Sequence, residues 1–147
     1  MFSIDESHWP IILTTWAAPV AAPPPTAAVM REFHAVQLET CNKAGAHGEK
    51  IAYVHLAVTS APLGSDARKV ATEWRKANPH VAEIMVGNWV VTQRRGVAGV
   101  LTALQWFLPE MRKKVLIVGT MDEALAQARA AIAAAHEPSW RKRSAAD

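Results

Sequence analysis

The chain has 147 residues, half of them apolar, a formal net charge of +3 and one cysteine. This size and apolar share suit a single domain with one continuous core, and a lone Cys41 excludes an internal disulfide framework and a cysteine-based zinc site within the chain. The basic residues fall in short groups, Arg112-Lys113-Lys114 and Arg141-Lys142-Arg143. A nucleic-acid binder carries a longer basic stripe with interleaved aromatics, so nucleic acid is set aside as a partner.

The first residues hold Asp5 and Glu6 where a signal peptide is basic, and the apolar segment from Ile11 is broken by Thr14, Thr15 and Pro19. No apolar run reaches the roughly 20 residues of a membrane span. The expectation is a soluble, cytoplasmic protein that does not cross a membrane. Six tryptophans are scattered without a repeat interval and read as packing residues.

Taken in order, Phe2 to Trp16 reads as extended structure, with Trp9 to Trp16 as the main strand and Pro10 at its start or on an edge. Ala17 to Pro25 is an Ala- and Pro-rich connector that ends at a natural helix start. From Thr26, the positions Val29, Met30, Phe33 and Val36 recur at helical spacing through about Lys43, and Gly45 and Gly48 then stop the helix. Ile51 to Val58 has the length and β-branched content of a buried central strand. A loop with Pro62 and Gly64 leads from it into a second helix, where Ser65 is a good cap and Asn78-Pro79 a clear stop.

Val81 to Val91 predicts a long buried strand with a bulge or bend at Gly87-Asn88. Gln93 to Gly96 then enters a third helix, GVAGVLTALQWFLP, apolar nearly all round and therefore buried on more than one side, with self-association as one way to bury it. Lys114 to Gly119 reads as a short parallel strand, and Thr120-Met121-Asp122-Glu123 is a capping box opening a last helix with Leu125, Ala128, Ile132 and Ala135 on one face. The expected fold is α/β: a single domain over residues 1–137 with a mixed, mostly parallel sheet of four to five strands and four helices, followed by a flexible tail over 138–147.

In element order over about residues 9 to 137, and above all in VVTQRRGVAGVLTALQWFLP and KVLIVGTMDEALAQA, the chain resembles the STAS family, in particular its SpoIIAA-like, anti-sigma-factor-antagonist branch and the lipid-carrying domains related to it in shape. In such antagonists a Ser or Thr at the start of the helix after the central strand is phosphorylated, which releases a protein partner. The resemblance places that position in the loop holding Thr59, Ser60, Ser65 and Asp66, although the Asp-Ser-Ser-Gly-like run of the family is absent here. A helix amino terminus favours added negative charge, and the simpler role for Ser65 is a helix cap.

Two further groups stand out. Arg94, Arg95 and Gly96 at the start of the third helix hold the parts of an anion site for a phosphorylated group, an anionic lipid head or an acidic partner surface, the alternative being a solvated turn. The six histidines show no metal-binding spacing; only His55, inside the central strand, invites attention, as a hydrogen-bonded core residue. Cys41 reads as a small core residue. The resemblance thus implies a non-catalytic, cofactor-free, STAS-like regulatory module in bacterial signalling that binds a protein partner, with Ser65 either its phosphorylation switch or only a helix cap. The alternative is a carrier or sensor of a lipid or small apolar ligand, with Trp and Met lining its pocket, and an enzyme of undeclared chemistry ranks third.

Overall fold

The computed structural model describes residues 2–16, 25–56, 64–91 and 114–137. Their elements are β1 (Phe2–Asp5), β2 (Ile11–Trp16), α1 (Ala27–Ala46), β3 (Ile51–Leu56), α2 (Ser65–Ala77), α3 (Val81–Ile84), β4 (Met85–Val91), β5 (Val115–Val118) and α4 (Met121–Ala135). One five-stranded sheet runs in the order β1-β2-β3-β4-β5. β1 pairs antiparallel with β2, and all later neighbours are parallel. This is the mixed, mostly parallel α/β sheet with four helices that the alternation of patterns implies, although the helices are not all the expected ones. The predicted third helix, over 96–109, and the self-association surface expected on it lie outside the described residues, as does the tail over 138–147.

β2 and β3 are buried almost throughout because each face of the sheet is covered. Alternation sends Ile11, Leu13, Ala52, Val54 and Trp89 to one side, against Ala124, Leu125, Ala128 and Ile132 of α4. Ile12, Trp16, Ile51, Tyr53 and Met85 go to the other, against α1, α2 and α3. α4 begins as its sequence specifies: Thr120 Oγ1 accepts from Glu123 N–H at 3.1 Å, and the Glu123 carboxylate accepts from Gly119 N–H at 3.2 Å. α1 starts on Thr26, whose hydroxyl accepts from Val29 N–H at 3.3 Å.

Two boundaries differ from the sequence expectation. Gly45 does not stop α1 but lies in its last turn, where a Cβ would stand 3.0 Å from Ile84 Cδ1, so the missing side chain admits α3. The left-handed residue that ends the turn is Gly48, at φ 68°. The second difference is at Val81, where one helical turn precedes the strand. Val81 and Ile84 face the core at the helical spacing of three, whereas a strand would send them to opposite faces; a short apolar run does not by itself tell the two apart in sequence. Carbonyls of that turn are taken by lysines from elsewhere: Lys50 Nζ donates to Glu83 O at 2.7 Å and Lys114 Nζ to Ala82 O at 3.1 Å.

β4 then pairs out of step with β3, Ile51 opposing Met85 but Ala52 opposing Gly87. Val86 is the extra residue, so the bulge falls just ahead of the expected Gly87-Asn88. Gly87 serves a second purpose, because a Cβ there would meet the Trp89 ring at 3.0 Å. Among the described residues no helix is long and apolar enough to cross a membrane.

Candidate functional site

Of the residues expected at a functional loop, Ser65 and Asp66 are described and exposed, whereas Thr59 and Ser60 lie outside the described residues. Ser65 is not the cap of α2. Gly64 occupies the cap position in extended backbone, with no side-chain cap bond, and Ser65 is the first helical residue, one position too far along to cap the turn. Asp66 in the same turn complements the positive end of the helix. Arg94, Arg95 and Gly96 lie outside the described residues.

His55 is a buried, hydrogen-bonded strand residue, as expected, and it belongs to a polar line that crosses three strands. The Trp16 indole N–H donates to His55 Nδ1 at 3.4 Å, and His55 Nε2 is 3.0 Å from Asn88 Oδ1. Indole can only donate, so Nδ1 accepts, the ring proton sits on Nε2, and Nε2–H donates to Asn88. That assignment orients the amide as well, leaving Asn88 Nδ2 at the far end of the line. Burial pushes the His55 pKa down to about 4, against a smaller opposing effect of the Asn88 bond. With the ring neutral and both nitrogens engaged, His55 is poorly placed to act as a base.

A second buried group stands on α1 and α2. His34 stacks on Trp74, with ring centroids 4.5 Å apart at 18°. Its Nδ1 lies 3.0 Å from Gln37 Oε1, and the Gln37 amide donates to Met85 Sδ at 3.6 Å. Burial lowers the His34 pKa, and the Gln37 bond opposes that shift.

These two groups meet at a cavity of about 320 Å³ between the last turns of α2, the turn at Asn78-Pro79, α3 and the start of β4. Trp74, Pro79, Val81, Ala82 and Met85 supply an apolar wall; Arg75, Lys76, Asn88 and Lys114 supply the polar positions. Several polar groups here have protein partners already: Asn78 Nδ2 donates to Trp74 O at 2.8 Å, Thr72 Oγ1 to Arg68 O at 2.9 Å, and Lys114 Nζ to Ala82 O. Asn88 Nδ2, Trp74 Nε1 and Arg75 Nη1 are buried and find no acceptor among the described residues. All three are donors, and the described lining contains no carboxylate.

Sequence reasoning did not single out Trp74, Arg75 or Asn88 as a site. Asn88, a polar residue inside an apolar strand, was the available signal; the convergence of α2 with β4 was not written in any local pattern. Cys41 is fully buried, with its thiol pushed up to about 12 by burial, in keeping with a core role. Among the described residues no three His, Cys, Asp or Glu side chains gather to hold a metal ion. Compared with family models, with curated proteins and with solved structures, the chain matches none.

Proposed function

We propose that this chain is a non-catalytic, cytoplasmic, STAS-like binding module that carries or senses a small apolar ligand. The observation that carries this reading is the 320 Å³ cavity, walled by Trp74, Val81 and Met85 and provided with a few convergent polar groups. Small-molecule sites have that composition, and their volumes run from about 300 to 1,000 Å³. A cavity at the lower end favours a compact molecule over a long-chain lipid. The mixed sheet and the capped last helix are compatible with the STAS-like resemblance, and the neutral, doubly engaged His55 argues for recognition rather than proton transfer. Native mass spectrometry of protein purified from its own host tests the proposal. A small-molecule adduct released on denaturation is expected; ligand-free protein that also gains no thermal stability from a library of small apolar compounds would remove it.

A second reading, a phosphorylation-switched partner of another protein, is favoured by one observation: Ser65 stands exposed on the first turn of α2 without a side-chain cap beside it. Phosphate there would meet the N–H groups of the helix start and the adjacent Asp66 carboxylate, which act in opposite directions. Peptide mapping of the host-purified protein decides it, since no phosphate on Ser65 under any growth condition leaves that reading without its switch.

A further inference from the structure

We infer that the ligand of this cavity is an organic anion: a compact apolar body bearing a carboxylate or phosphate. The inference rests on the small-ligand reading above and goes beyond it by assigning the chemistry of the polar end. Three residues that line the cavity each hold a buried donor without an acceptor among the described residues. Asn88 is 2 % exposed, and its Nδ2 has no acceptor. Its other amide atom is committed, because His55 Nε2–H donates to Oδ1 at 3.0 Å and the Trp16 indole dictates the His55 tautomer. The amide therefore cannot turn to offer its oxygen without breaking that line. Trp74 Nε1 and Arg75 Nη1 are likewise buried donors without acceptors, and an indole and a guanidinium have no acceptor to offer at those atoms.

A buried donor without a partner is destabilising, and here three such donors belong to residues that line one cavity, where a ligand that shifts those side chains could supply acceptors. A neutral acceptor would satisfy the indole and the amide. The guanidinium of Arg75 and the ammonium groups of Lys76 and Lys114 at the same cavity, with no carboxylate in the described lining, select negative charge. Lys114 already donates to Ala82 O, so it contributes field more than a new bond. The apolar body would lie against Trp74, Val81 and Met85. Water is the competing partner for the donors, and it would leave the apolar wall without a complement.

The test uses three probes with one apolar body, hydrocinnamate, hydrocinnamyl phosphate and hydrocinnamyl alcohol, titrated into the full chain by calorimetry and by following the indole N–H signals of its six tryptophans. Trp74→Phe identifies the Trp74 signal and removes its donor while keeping an aromatic ring. At least one anion is expected to bind about tenfold or more tightly than the alcohol and to move the Trp74 signal, and Trp74→Phe and Arg75→Gln should each weaken it by about tenfold. Carboxylate preferred over phosphate, or the reverse, tells which headgroup the site takes. Thermal unfolding and the dispersion of the amide signals are recorded for both variants, Arg75→Gln serving as the control that leaves the Trp74–His34 stack in place, so that lost affinity is told apart from lost folding. Equal binding of alcohol and anions overturns the anion inference while leaving the small-ligand reading standing. Anion binding that neither substitution weakens also overturns it. Absence of binding by all three probes, together with ligand-free host protein, removes both.

Discussion

The two faces of the sheet are built on opposite principles. The face under α4 is dry: Ile11, Leu13, Ala52, Val54 and Trp89 meet Ala124, Leu125, Ala128 and Ile132, and the Trp89 indole donates to Gln127 Oε1 at 3.1 Å at its border. The face under α1, α2 and α3 has an apolar cluster of its own, but it also buries Thr14, His34, Gln37, Thr40, His55 and Asn88. The buried Thr14 Oγ1, His34 Nε2, Trp74 Nε1, Arg75 Nη1 and Asn88 Nδ2, all without partners, belong to this second face. A dry layer contributes stability through burial, whereas orphaned polar groups subtract from it. Such groups persist where something other than stability maintains them, and the cavity lies on their side.

The contrast is breakable by experiment. The largest effect should come from the dry face: Ile11→Ala, at a residue 1 % exposed, is expected to lower unfolding free energy by about 2–5 kcal/mol in urea titrations. A loss well under 1 kcal/mol would mean that this layer is not the stabilising one.

Next in size is the acid response of the polar face. The His55 pKa falls from 6.5 unfolded to about 4 folded, so its contribution to stability is fully present above pH 6.5 and is lost as pH drops toward 4. The difference corresponds to roughly 3 kcal/mol between those limits, and His34, lowered in the same direction, adds to it. The Asp5 carboxyl, held low by its bonds to Ser7, titrates below its ordinary 3.8 and acts only under more acidic conditions. Urea unfolding at pH 7.5 and pH 4.5 checks the sign; equal stability at the two would contradict a neutral buried His55.

The smallest effect has the opposite direction. Thr14→Val keeps the shape of a fully buried side chain and removes a hydroxyl without a partner, so a gain of about 1 kcal/mol is expected where Ile11→Ala, three residues away on the other face, loses stability. Destabilisation by Thr14→Val would show that the hydroxyl is satisfied in solution and would narrow the difference between the faces.

The sequence by itself determined what depends on local periodicity and local bonds. The apolar runs at Ile11–Trp16, Ile51–Leu56 and Val115–Val118, the helical stripe carried by Val29, Met30 and Phe33, and the Thr120–Glu123 cap all formed as their patterns specify, whereas Val36 of the same stripe is only half-buried. Alternation of those elements was enough to specify a mixed, mostly parallel α/β sheet. Other features came from tertiary structure alone, because they depend on which distant residues meet. The turn Val81–Ile84 is a helix rather than the start of a strand, because its apolar positions pack at helical spacing and its carbonyls take lysines from positions 50 and 114. Ser65 lost the cap to Gly64 by a single position. The line from Trp16 through His55 to Asn88 exists because the register of β2, β3 and β4 places an indole, an imidazole and an amide within reach across strands that are 39 and 33 residues apart in sequence. No window of sequence contains that distance, which is why the cavity at its end, with Trp74 and Arg75, is not legible in local pattern and emerges only from the tertiary structure.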